Sequence, residues 1–471
     1  MTSTQEHPQA HARPLRGARP VATRAAGLLV AGLALVLGAS SPALAQSASR
    51  LGFRIGDKSK LHLGLNVASA FDTNPTRLAD DESVSDVRLL VRPSFRVDVP
   101  GSSGELRLGV GTTLSRFLGT GGRDTGETLF GFDGNVFLRI GSRRSAVMLT
   151  VQNTPTLTPT VLPELGSIAS DERQFPAFSD QGEIALTLRP GGGALEFDVG
   201  YRNQFLIFTE AGGAQPLDDS YSNVGFLAAR LRFLPKTAVL LEMDFGAFDV
   251  DLVDDAQQTT FESNPYNIMV GLTGQITRTL EAEVRVGFGE TLTWCPQGEQ
   301  IDADGDGTAE VTCDGRFDQV DPGLNQRDII GNVALRWKFL KTAQLSAAYT
   351  RSLNGTVLLS SVRNDTFRLT ANWNIGRLVL GAYGEAQLRH FGLQTRQNPA
   401  TTPDGESPTN PQATLIIGGA RADYYFKDWL VGGLNWRLMD QSSNDEGRPN
   451  QRPLLGAFLR QQIFANVGVQ Y

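Results

Sequence analysis

The chain has 471 residues, with 43 Lys and Arg against 50 Asp and Glu and a formal net charge of −7. So mild a balance, with both signs mixed along the chain, argues against a nucleic-acid partner. Two cysteines beside 51 glycines argue against a disulfide-stapled secreted fold.

Residues 1–24 carry Arg13, Arg16, Arg19 and Arg24, with Glu6 the one acid. The apolar stretch from Ala25 to Ala39 is short for a membrane span and suits the core of a signal peptide. Ala43-Leu44-Ala45 then supplies a small-x-small cleavage pattern. Residues 1–45 are therefore expected to be a removed signal peptide, the alternative being an uncleaved anchor. After it, no further apolar run is long enough for a spanning helix.

From there one pattern runs to the end. In "LEAEVRVGFGE", Leu280, Ala282, Val284, Val286 and Phe288 fall on one face of a strand. Glu281, Glu283, Arg285, Gly287 and Gly289 fall on the other. "NVALRWKF" and "FRLTANWNI" repeat this period of two. No segment of useful length shows a helical period. The predicted strands are longer than those of soluble sheets and suit a tilted bilayer crossing.

Short turns are predicted at 100–103, 141–144, 191–193, 234–237, 278–279, 341–342, 376–377 and 427–428. Longer polar segments lie between them at 72–84, 118–126, 156–179, 209–219, 251–263, 292–326, 354–362, 392–411 and 441–453. Such alternation predicts an antiparallel transmembrane β-barrel of 18 strands with both termini on the periplasmic side. The barrel is assigned to 60–471. Residues 46–59 form a short periplasmic segment, too small for a plug domain. Phe71, Phe117, Phe233, Phe339, Trp429 and Tyr471 are expected in interfacial girdles. Loop 156–179, stiffened by Pro155, Pro159, Pro163 and Pro176, either folds inward or lies over the mouth.

The last strand, "IFANVGVQY", places Val467, Val469 and the terminal Tyr471 on one face. It resembles the C-terminal signal read by the outer-membrane assembly machinery. At the end of the first strand, Phe71-Asp72-Thr73-Asn74 resembles the aromatic-Asp-x-Asn element that opens members of a β-barrel porin family of the outer membrane. That family includes barrels encoded beside exopolysaccharide export machinery. The resemblance implies an outer-membrane location in a Gram-negative bacterium and passage of a hydrophilic, even polymeric, solute. The partners implied are outer-membrane lipid, the assembly machinery and polysaccharide export proteins. The alternative is a structural or surface-adhesion barrel without transport.

Charges expected to line the pore are Arg107, Arg139, Glu196, Asp198, Arg202, Glu281, Glu283, Arg285, Arg336, Lys338, Arg368, Arg389, Arg437 and Arg460. Bases are somewhat in excess. Either they neutralise one another across neighbouring strands or they give a slight anion preference.

In loop 292–326, Asp302, Asp304 and Asp306 precede Gly307, as in the front half of a calcium loop. Thr308 and Glu310 fall at positions seven and nine, but Cys313 stands where a bidentate Glu belongs. The loop is read either as a weak Ca2+ site or as a solvated acidic turn, with no other cofactor. Cys295 and Cys313 flank it and are expected to pair in an oxidising compartment. Beyond the leader only His62 and His390 could serve as a catalytic base, and neither has a nucleophile beside it in sequence. An enzyme is not expected.

Overall fold

A computed structural model of the chain describes residues 52–74, 85–119, 128–142, 144–158, 177–208, 219–251, 261–294, 300–301, 311–312, 326–354, 362–391, 412–443 and 457–471. The leader, most of loop 156–179, the acidic stretch 302–310, and both cysteines lie outside these residues.

Eighteen long strands follow one another in chain order. The first nine are β1 Ser59–Asp72, β2 Asp86–Pro100, β3 Gly104–Phe117, β4 Thr128–Ile140, β5 Val147–Thr158, β6 Ala177–Leu188, β7 Leu195–Phe208, β8 Asp219–Leu234 and β9 Thr237–Asp251. The second nine are β10 Phe261–Gln275, β11 Leu280–Trp294, β12 Gln326–Trp337, β13 Ala343–Asn354, β14 Val362–Ile375, β15 Leu378–Phe391, β16 Gln412–Lys427, β17 Leu430–Ser443 and β18 Phe458–Gln470. Each pairs antiparallel with the next, and β18 pairs antiparallel with β1, from Gly64↔Gln470 to Asp72↔Gln462. The sheet is thus a closed ring with no open edge. Such a ring gives every strand a hydrogen-bonded neighbour on both sides through its central span, as a hydrocarbon surrounding requires.

β5 is broken into Val147–Asn153 and Thr156–Thr158, yet both pieces keep one register with each neighbour. Pro155 has no N–H to give the ladder. Its carbonyl still accepts from the Gly134 N–H at 2.7 Å, and the Thr154 N–H reaches the Gln181 carbonyl at 2.9 Å. The strand therefore continues past the point where the sequence suggests a loop.

All eight predicted short turns join strands at one end. The tightest are two residues long, such as Gly376-Arg377 between Ile375 and Leu378. There Gly376 sits at φ +60°, a conformation that favours glycine. Strand β1 begins and β18 ends at this same end. A three-residue strand, Phe53–Ile55, folds back along β1 and continues the ladder beyond the end of β18.

Side chains alternate around the ring. One row is apolar and exposed, with Val284 at 47%, Val286 at 53%, Leu335 at 44% and Val467 at 54%. The other row holds the charges and is more covered, as the concave inner face of a closed cylinder requires. An apolar band of this extent, repeated on every strand, suits lipid and not water. At its margins Phe71, Phe233, Phe339, Trp429 and Tyr471 are exposed.

Phe117 departs from the girdle expectation. It is 3% exposed and lies on the inner row, with the Arg88 guanidinium 5.7 Å from its ring centroid. Leu106, Leu108, Val110 and Leu114 mark the outer row of β3, so an odd-numbered residue there must point inward. Position at a strand end does not decide the face; parity does.

Candidate functional site

The inner row carries the chemistry. Strand register puts all the predicted lining charges on it, from Arg107 on β3 to Arg460 on β18. Most meet an opposite charge across the ladder. Glu183 faces Arg202 at 3.1 Å, and Arg368 faces Glu385 at 2.5 Å. Arg285 reaches Glu283 at 2.9 Å on its own strand and Glu242 at 2.6 Å two strands away. The longer reach crosses β10 at Gly271, where an added Cβ would meet the Arg285 chain at 2.8 Å. Asp198 accepts from the Thr187 hydroxyl at 2.5 Å, and Arg389 donates to the Gln387 side-chain oxygen Oε1 at 2.6 Å.

Near the short-turn rim the pairs take a repeated form. Glu105, Glu196 and Glu281 are each the second residue of β3, β7 and β11. Directly opposite stand Arg139, Arg230 and Arg336. Glu105 holds Arg139 at 2.7 Å and also Arg107. Glu196 holds Arg189 at 2.6 Å, Arg230 at 3.4 Å and Arg232 at 3.6 Å. Glu281 holds Lys338 at 3.0 Å and Arg336 at 3.6 Å.

Phenylalanines also reach the inner wall. The Arg202 guanidinium lies 5.1 Å from the Phe226 centroid, and Arg107 lies 5.3 Å from that of Phe137. Phe226 lies flat because Gly200 beneath it has no side chain; a Cβ there would collide with the ring. Higher up, Tyr383 packs against a buried cluster of Leu415, Ile417, Met439 and Phe458. The inner wall is therefore not uniformly wet.

At the long-connection end, Asp72 and Arg460 form a buried bidentate pair. Arg460 Nε donates at 3.0 Å and Nη2 at 2.5 Å, and Gln462 adds a bond at 2.7 Å. The Thr73 N–H reaches the Gln461 carbonyl at 2.9 Å, and the Gln461 N–H reaches the Thr73 hydroxyl at 2.8 Å. Asn74 gives its side-chain amide to the Leu459 carbonyl at 3.4 Å. Residues 71–74, singled out for their resemblance, thus fasten the first strand to the last. Sequence reasoning missed this role, because the partners lie almost a full chain away.

His62 is buried on the inner row. Its Nε2 is 3.1 Å from Asp98 Oδ2, close enough for an ion pair but without hydrogen-bond alignment. His390 is on the outer row, with Arg363 and Gln412 as its cross-strand neighbours. The predicted calcium residues Asp302, Asp304, Asp306, Thr308 and Glu310, and the pair Cys295 and Cys313, fall outside the described residues. Among the described residues no cluster of three or more His, Cys, Asp or Glu could hold a metal.

No family model matches the chain, and no curated protein matches it. Among solved structures, it is similar to Pseudomonas aeruginosa OccK2 (OpdF) in complex with glucuronate. The identity is 11% and the TM-score 0.41, over 89% of this chain and 100% of that one. The FrpB iron transporter of Neisseria meningitidis, F3-3 variant, gives 9% and 0.43 over 88% and 82%. Pseudomonas aeruginosa OprD gives 12% and 0.37 over 90% and 97%. At such scores nothing about this chain's cargo follows from them.

Proposed function

We propose that this chain is a channel of a Gram-negative outer membrane for small hydrophilic solutes. One observation supports it most: a closed ring whose strands offer an apolar row to lipid and a largely polar row, charged on most strands, to the interior. Eighteen strands enclose room for an aqueous path, which the ionised inner row would hydrate. The short turns would face the periplasm.

Conduction of a polymer rests on the resemblance of residues 71–74 alone. Those residues have a role in closing the ring, so they speak for the architecture more than for the cargo. Purified protein in a planar bilayer is expected to give discrete conductance steps, and liposomes carrying it should swell in small sugars. Silence across a wide voltage range would contradict a channel. Uptake of long dextrans alongside small sugars would favour the polymer conduit.

A further inference from the structure

The three glutamates at the short-turn rim do not balance their partners. Glu105, Glu196 and Glu281 are the anchors for seven bases: Arg107, Arg139, Arg189, Arg230, Arg232, Arg336 and Lys338. Each carboxylate carries one negative charge and holds two or three positive ones. Position adds to number. The Glu105 and Glu196 side chains are 13% and 7% exposed, pressed against the wall. Arg107, Arg230 and Arg232 are 49%, 43% and 45% exposed. Arg336 and Lys338 are 57% and 50% exposed above a Glu281 at 37%. Water at this level therefore meets cationic tips whose counter-charges sit behind them.

We infer that this rim is a charge filter that favours anionic solutes such as carboxylates and phosphates over cations. The inference rests on the channel reading above and names the solute class for it.

Fixed guanidinium and ammonium groups lining a constrained path raise the local anion concentration and repel cations. The spare N–H donors of arginine match the oxygens of carboxylate and phosphate in a way that a chloride-sized charge alone does not require. Nearby acids set the limit of the effect. Glu242 and Glu283 share the single Arg285, and Asp198 lies one inner-row step beyond Glu196. Those carboxylates face the interior above the filter; Asp98 stands at the rim opposite Arg107 but is matched there by Arg96 at 2.9 Å, so the excess is reduced without being cancelled. A field of this kind is screened over about 10 Å at 0.1 M salt.

Reversal potentials under a KCl gradient test the filter. The unaltered barrel is expected to pass chloride over potassium by roughly threefold, falling toward parity as salt rises. Combining Arg232→Glu, Arg336→Glu and Lys338→Glu should move the preference to potassium, in protein whose heat-shifted gel mobility shows a folded barrel. Gluconate should carry current better than N-methylglucamine through the unaltered protein. Potassium preference or no preference in the unaltered barrel would overturn the filter while leaving the channel standing. So would a triple variant that folds and keeps its chloride preference. Absence of any conductance would overturn both.

Discussion

Two seams in the wall are closed in different ways. Between β1 and β18 the ladder runs to Asp72↔Gln462, and there the buried Asp72–Arg460 pair takes over. Asp72 is 1% and Arg460 6% exposed, and backbone and side-chain bonds from Thr73 and Asn74 carry the closure one step further. Between β12 and β13 the ladder stops at Gly331↔Arg351. Above it Gln326–Ile330 pairs with β11, and Ser352–Asn354 pairs with β14. Asp328 spans this gap to Arg363 at 2.8 Å and to Arg351 at 3.9 Å, with side chains a quarter to a third exposed. The Ile329 N–H turns to the Asp328 carboxylate at 2.7 Å.

The contrast concerns where a charge pair matters. A pair sealed from water cannot lose one member cheaply, because the other is left charged and desolvated. A pair open to water loses little, because water replaces the partner. The junction of the first and last strands has no connecting loop to hold it, so a buried lock there adds what chain continuity supplies elsewhere.

Substitutions should rank accordingly. Asp72→Ala, leaving Arg460 buried and alone, is expected to cost about 3–5 kcal/mol, read as a lower urea midpoint in liposomes. Asp72→Leu combined with Arg460→Met should cost less than either change made singly, since no uncompensated charge remains. Tyr471→Ala removes a ring 4.5 Å from Phe53 and should cost about 1 kcal/mol. Asp328→Ala should cost at most about 1 kcal/mol, with a midpoint close to that of the parent. Equal losses at Asp72 and Asp328 would erase the distinction between the seams.

Much of this architecture was legible in the residues because lipid and water flank the same strand. Val284 and Arg285 cannot exchange places without each entering the wrong solvent, so a period of two assigned the faces along β11. Turn residues such as Gly376-Arg377 gave the connections for the same local reason. Phe117 was misassigned because its place along the strand was weighed above its parity. Thr156 to Thr158 reads as loop because it opens a proline-rich stretch headed by Pro155, whereas one missing donor leaves the register intact. The lock at Asp72 and the grouping of bases on Glu196 were not legible at all. Each depends on which strands become neighbours after closure, and on how far a carboxylate withdraws behind its partners.

Spin labels placed one at a time from 281 to 288, with Cys295 and Cys313 replaced by serine, would test the two-faced wall most directly. In proteoliposomes, labels at 282, 284, 286 and 288 should collide with oxygen dissolved in lipid. Those at 281, 283, 285 and 287 should collide with a water-soluble nickel complex. A profile without that alternation, or apolar positions sheltered from both relaxers, would contradict a lipid-facing barrel.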